Sequence, residues 1–161
     1  MHKTPEITRL IHENFLVVIT FAFAQPQICD LLNERFKGEF KYLRKSIGEL
    51  AEIRADRALL EMGLELRVLD DEEDISDKEE GQCFGALYDC DGRFRVLGFR
   101  DMANKIIHAE SFEWDFQHRQ VPKVICIAPE NQRERHKWVR AEINLVDLAA
   151  FMGMLAYQSP V

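Results

Sequence analysis

Two periods of apolar and polar positions divide this chain, a helical one over its first 75 residues and a strand-like one over much of the remainder. Ile7, Leu10, Ile11 and Phe15 open the helical pattern, and Thr4-Pro5-Glu6 offers a hydroxyl cap with proline at the first helical position. This helix is predicted to end near Phe23, because Pro26 lacks a backbone donor and disfavours helix in the residue before it. A short helix from Gln27 to about Lys37 should follow, with Gly38 as its stop. A third, long helix is predicted over residues 39–69. Phe40, Leu43, Ile47, Leu50 and Ile53 mark one face of its first half. Its second half, ALLEMGLELRVL, is apolar on most sides and should form the centre of the core.

The acidic run LDDEEDISDKEEGQ interrupts the pattern, and mutual repulsion predicts a solvated linker or mobile loop over residues 70–82. It lacks the Asp-x-Asp-x-Asp-Gly order of a calcium loop. Beyond it, CFGALY and RFRVLGF read as strands joined by the turn DCDG. Residues 99–109 return to helical spacing, and Phe112, Trp114 and Phe116 then alternate with polar residues as in a half-buried strand. KVICIA and KWVRAEI are two further strands around the polar loop PENQRERH, and Asn144 should cap a last helix, LVDLAAFMGMLAY. The expected fold is one α+β domain over residues 1–161, predominantly α: a helical bundle carrying a small antiparallel β-sheet in its C-terminal half.

Composition agrees with a folded chain, since 47% of the 161 residues are hydrophobic and 30% charged. The net charge of −7 is local: residues 70–80 hold eight acids and one base, and the other 150 residues balance 20 of each. Between Arg93 and Arg140 ten Lys or Arg face six Asp or Glu, a balance compatible with a phosphate-bearing partner such as RNA or a nucleotide. Cys29, Cys83, Cys90 and Cys126 form no C-x-x-C pair, which favours reduced thiols and a cytoplasmic location, and no metal or cofactor is expected. FLVVITFAFA, residues 15–24, has the look of a signal core. However, Glu6 and Glu13 cancel Lys3 and Arg9 ahead of it, and ten apolar residues fall short of the roughly 20 that span a bilayer, so no membrane association is expected.

The candidate chemistry lies on residues 99–109. At about 100° per residue, Phe99, Met102, Ala103 and Ile106 share one side of that helix, and Arg100, Asn104 and His108 form a polar stripe on the other. The plain reading is the wet face of an amphipathic helix, with Asp101 and Lys105 beside it. The sharper one assigns each residue a role: His108 transfers a proton near neutral pH, Arg100 grips a phosphate with two donors, and Asn104 orients either. Those are the parts of a metal-independent RNA cleavage. Lys105 and the RERHK run with its following aromatic (Arg133, Arg135, His136, Trp138) would add phosphate and base contacts, or else simply keep a loop soluble. Arg54, Arg57, Glu61 and Glu65 read as an ion-pair ladder. A carboxylate metal site there with His12 lacks the Glu-x-x-His spacing, and one built from Cys83, Cys90, Cys126 and His108 lacks paired spacing.

ANKIIHA resembles the signature helix of the HEPN (higher eukaryotes and prokaryotes nucleotide-binding) superfamily, in which an arginine and a polar residue precede a histidine. Asn104 through His108 match the later part of that motif, whereas Ala103 occupies the arginine position and Arg100 stands one turn upstream. The long helices ahead of the motif fit the resemblance, and the strands after Glu110 do not. FRDMANKIIHA also resembles a helix of small bacterial proteins without an assigned activity. The HEPN resemblance implies a helical-bundle homodimer whose paired motifs face one cleft and either cut RNA without metal or bind it without cutting. His108 would then be the acid/base or phosphate-contacting group, Asn104 its orienting neighbour and Arg100 a displaced cation. The alternative class is a non-catalytic dimeric protein-interaction module whose polar stripe is only solvated surface.

Overall fold

A computed structural model describes residues 4–158 apart from 37, 39, 40, 79, 80 and 136. Helices α1 (Thr4–Arg35) and α2 (Lys41–Glu73), 32 and 33 residues long, pack along one another as a hairpin. Each is about 50 Å long at 1.5 Å per residue. Asn14 of α1 meets Glu65 of α2, and Gln25 lies near Gly48, so the two run antiparallel.

Helix α1 differs from the prediction by passing straight through Pro26. Ala22, Gln25, Pro26 and Leu32 are all buried, and this packing outweighs the roughly 3 kcal/mol that an internal proline costs a helix. Phe40 lies outside the described residues. Leu50 and Ile53, on the face that this spacing marks, are exposed, and the buried face of α2 is Ala55, Ala58, Leu59, Met62, Leu66 and Leu69.

The acidic stretch is mostly helical instead of a loop: α2 extends to Glu73, and α3 (Ile75–Lys78) follows a single residue, Asp74, at φ 51°. Repulsion is overcome because its first two acids are neutralised. Asp70 is buried, and Arg67 and Arg100 both reach Asp70 and Asp71.

Strands β1 (Gly85–Tyr88), β2 (Phe94–Val96), β3 (Ser111–Asp115), β4 (Lys123–Ile127) and β5 (Arg140–Asn144) form one antiparallel sheet in the order β2-β1-β5-β4-β3. At the β1–β2 turn the Asp89 carboxylate accepts the backbone N–H groups of Asp91 and Arg93. Gly85 has φ 144°, and a Cβ there would lie 1.9 Å from the Glu142 carbonyl oxygen, so the β1–β5 pairing requires glycine. Two rows of the inner sheet face, Leu87–Ala141–Cys126–Phe112 and Ile143–Val124–Trp114, close the core under the helices. The opposite rows, Val96–Ala86–Glu142–Ile125 and Phe94–Tyr88–Arg140–Ile127, form the outer face.

Helix α4 (Phe99–Ile107) lies between β2 and β3 in sequence and packs on α2. The polar loop before β5 contains a short helix, α5 (Glu130–Glu134), and α6 (Leu145–Gln158) follows β5. Asn144 caps α6 as expected, its Oδ1 accepting the N–H groups of Val146 and Asp147 at 2.9 and 3.4 Å. The result is an α+β fold, predominantly α, with its antiparallel sheet in the C-terminal half.

Candidate functional site

Helix α4 is seated by Gly63 of α2. A Cβ at that position would meet Ile106 Cγ2 at 2.6 Å, so only glycine lets the two helices approach this closely. Phe99, Met102, Ala103 and Ile106 are buried in the contact, and the amphipathic spacing of the sequence is reproduced. Ala103, which occupies the arginine position of the resemblance, is fully buried. An arginine there would have to bury its guanidinium against α2.

The polar stripe does not form a cluster. Arg100 and His108 are eight residues apart, about 12 Å along the axis. Arg100 turns towards the end of α2, where its Nη1 donates to Asp70 Oδ2 at 2.7 Å and its Nη2 to Asp71 Oδ1 at 3.3 Å. Arg67 donates to the same carboxylates at 3.5 and 2.6 Å, and the Ser76 N–H donates to Asp70 Oδ1 at 2.7 Å. Arg100 therefore clamps α4 to α2 and α3. Asn104 is half-buried, and among the described residues its side chain makes no hydrogen bond. His108 is the exposed C-cap of α4. Its backbone N–H donates to the Asn104 carbonyl at 3.0 Å, and its imidazole has no partner among the described residues.

Lys105 leans across Trp138, its Nζ 4.8 Å from the ring centroid. Burial lowers its pKa; Asp101 opposes the shift, and Arg95 and Lys137 add to it. Trp138 itself is 3% exposed, which corrects the expectation that it offers a stacking surface: its ring belongs to the core. Arg133 pairs with Glu110 at 3.3 Å, Arg135 is the exposed C-cap of α5, and His136 lies outside the described residues.

One basic grouping escapes the sequence reading. Arg93, Phe94, Arg95 and Lys137 line a shallow groove with Tyr88, and Arg140 lies 4.5 Å over the Tyr88 ring. These residues come from three strands, the β1–β2 turn and the loop before β5, so no sequence spacing marks the whole set; pairing of Tyr88 with Phe94 and with Arg140 brings them together. Asp101 already pairs with Arg95 at 2.6 Å.

The other candidate sets are dispersed. His12 places Nδ1 2.8 Å from the Thr8 carbonyl and Nε2 3.0 Å from that of Met152, which ties α1 to α6. Arg57 pairs with Glu61 at 2.8 Å, and Glu65 instead accepts Asn14 Nδ2 at 3.2 and 3.1 Å. Burial raises the Glu65 pKa, the Asn14 bond lowers it, and Glu61 and Glu13 raise it further. Among the described residues no three His, Cys, Asp or Glu side chains gather as a metal-binding group. Cys126 is buried in β4, and that burial pushes its thiol well up, away from the thiolate form that binds metal or attacks.

Comparison of the chain with protein-family models, with curated proteins and with solved structures finds no match.

Proposed function

We propose that this chain is a non-catalytic protein-interaction module, dimeric in its working form, that offers the outer faces of α1 and α2 to protein partners. The observation carrying this reading is the apolar character of those faces. Leu16, Leu31, Leu50 and Ile53 are each at least half exposed, and the residues 6–35 are apolar enough by length and composition to cross a membrane, yet only 28% of their most apolar window is buried. Apolar surface gathered on one face marks a place where something binds. Helix α4 is a poor competitor as a catalytic centre, because the arginine that would grip a phosphate is already held by two carboxylates.

A HEPN-like RNA- or nucleotide-binding role is the second reading. One observation favours it: the Arg93, Arg95 and Lys137 group beside the exposed Phe94 ring, a combination suited to phosphates and bases.

Incubation of the purified protein with single-stranded RNA in excess EDTA, alongside Arg100→Ala and His108→Ala, decides between them. We expect neither cleavage nor retention of RNA at physiological salt. Arg100→Ala should lower thermal stability, and His108→Ala should leave it unchanged. Cleavage that persists in EDTA and vanishes in both variants would replace the module by a metal-independent ribonuclease. Binding without cleavage, lost on Arg93→Ala/Arg95→Ala, would assign the second reading instead.

A further inference from the structure

We propose that the chain self-associates as a two-fold dimer through an outward seam of α2, the two copies of that helix running antiparallel and crossing near residue 59. This rests on the interaction-module reading and names the partner as a second copy of the chain.

The seam consists of Leu50, Ile53, Arg57, Leu60, Leu64 and Val68, spaced by three or four residues. At about 100° per residue they fall within an arc of roughly 80°, directly opposite the buried face. None is covered by this chain: the five apolar members are 59, 61, 38, 48 and 46% exposed in that order. A helix with one apolar face in the core and another facing solvent along about 27 Å of its length has an unmatched surface.

Its pattern selects the partner. An isologous interface requires that if residue i meets j across the two-fold, j also meets i. The pairs Leu50 with Val68 and Arg57 with Glu61 are centred on residue 59, and Ile53 with Leu64 and Arg54 with Glu65 are centred within half a residue of it. The helix is thus nearly palindromic in apolarity and inverted in charge about that point. An antiparallel copy sets Arg54 and Arg57 against the partner's acids and leucine against aliphatic side chains. A parallel copy would set like charges together.

Within one chain these charges are only partly matched, Arg57 pairing with Glu61 of its own helix. Glu13, Glu61 and Glu65 lie close enough for the first two to raise the pKa of the third. Arg54 makes no ion pair among the described residues. The groove beside the seam, lined by Leu16, Thr20, Ala24, Ile28 and Ala51, widens the surface across α1. Two helices wide and about 27 Å long, the face is on the scale of the roughly 800 Å² per partner that a specific dimer buries.

The test is sedimentation equilibrium of the full chain across the micromolar range. Wild type should run as a dimer. Arg54→Glu/Arg57→Glu and Glu61→Arg/Glu65→Arg should each raise the dissociation constant by more than ~100-fold, because every charge pair in the interface occurs twice and becomes repulsive. An equimolar mixture of the two variants should restore a dimer containing one of each, which also shows that both fold. Wild type that remains monomeric throughout overturns the proposal, and so does a dimer indifferent to both reversals. A monomer also removes the dimeric form from the module reading but leaves its apolar face for protein partners in place. A dimer indifferent to the reversals leaves the reading whole. The module itself falls if the chain binds or cleaves RNA in the assay above.

Discussion

Replacing Asp70 by alanine tests whether the acidic end of α2 is a structural clamp. The carboxylate is 1% exposed and accepts three hydrogen bonds, from Ser76 N–H and Arg100 Nη1, both at 2.7 Å, and from Arg67 Nη1 at 3.5 Å. A hydrogen bond to a charged group contributes about 1.5–3 kcal/mol, but the two arginines do not lose that much here. Their side chains are 47 and 26% exposed, so water replaces part of the loss, and both retain Asp71 at 3.3 and 2.6 Å. Their share is about 1 kcal/mol together, close to an exposed pair. The Ser76 N–H loses its acceptor outright, which costs about 1–3 kcal/mol. The expected loss is about 3 kcal/mol, or roughly 6–12 °C in Tm for a domain of this size. Arg100→Ala should cost less, about 1–2 kcal/mol, because Asp70 retains Ser76 and Arg67. Urea unfolding of both single variants and the double variant provides a cycle, and a coupling of about 1 kcal/mol is expected. Losses that add to within ~0.5 kcal/mol would refute the clamp and release Arg100 for a phosphate.

Two further predictions concern packing and charge. Burial raises the Asp56 pKa against the lowering effect of its bond from Trp114 Nε1, so the folded state holds the proton more tightly and stability falls as pH rises through the folded value. Asp56→Asn preserves the acceptor, and its stability advantage should grow from acid to neutral pH in paired urea titrations; a variant less stable than wild type at neutral pH contradicts this. Gly63→Ala should cost about 1–3 kcal/mol by thermal unfolding, since the new methyl meets Ile106 Cγ2 at 2.6 Å. Ile106→Leu removes that branch and should recover part of the loss, and an absence of recovery would place the strain elsewhere.

The fold was legible wherever local chemistry and packing agreed. Asn144 caps α6, the Asp91-Gly92 turn joins β1 to β2, and the apolar side of α4 faces α2, each as its residues predict. It was misread where a distant partner overrides local preference. Pro26 signals a break, but it is itself buried, as are Ala22, Gln25 and Leu32, and the helix continues. The acids from Asp70 onward signal a solvated loop, but Arg100, thirty positions away in sequence, neutralises the first two. Arg67 helps from within the same turn, but the contact of Arg100 with buried Asp70 and the packing around Pro26 lie outside the window in which periodicity and repulsion operate.

The same limit governs the candidate site, and α2 shows how to read past it. A polar stripe such as Arg100, Asn104 and His108 is one-sided evidence, since solvent and ligand both select polar residues; burial of Asp70 is what commits Arg100 to structure. An apolar stripe is less ambiguous. A helix that is apolar nearly all round has to be covered nearly all round. The run from Ala58 to Leu69 meets that description, and reading it as the centre of the core credited one chain with covering every side. The fold covers one side with α1 and α4 and leaves Leu60, Leu64 and Val68 outward, beside charges whose order inverts about residue 59. The excess of apolar positions over what this fold buries is therefore a signal written in the sequence itself. It points to a second surface, and the order of the charges along it points to a copy of the same helix.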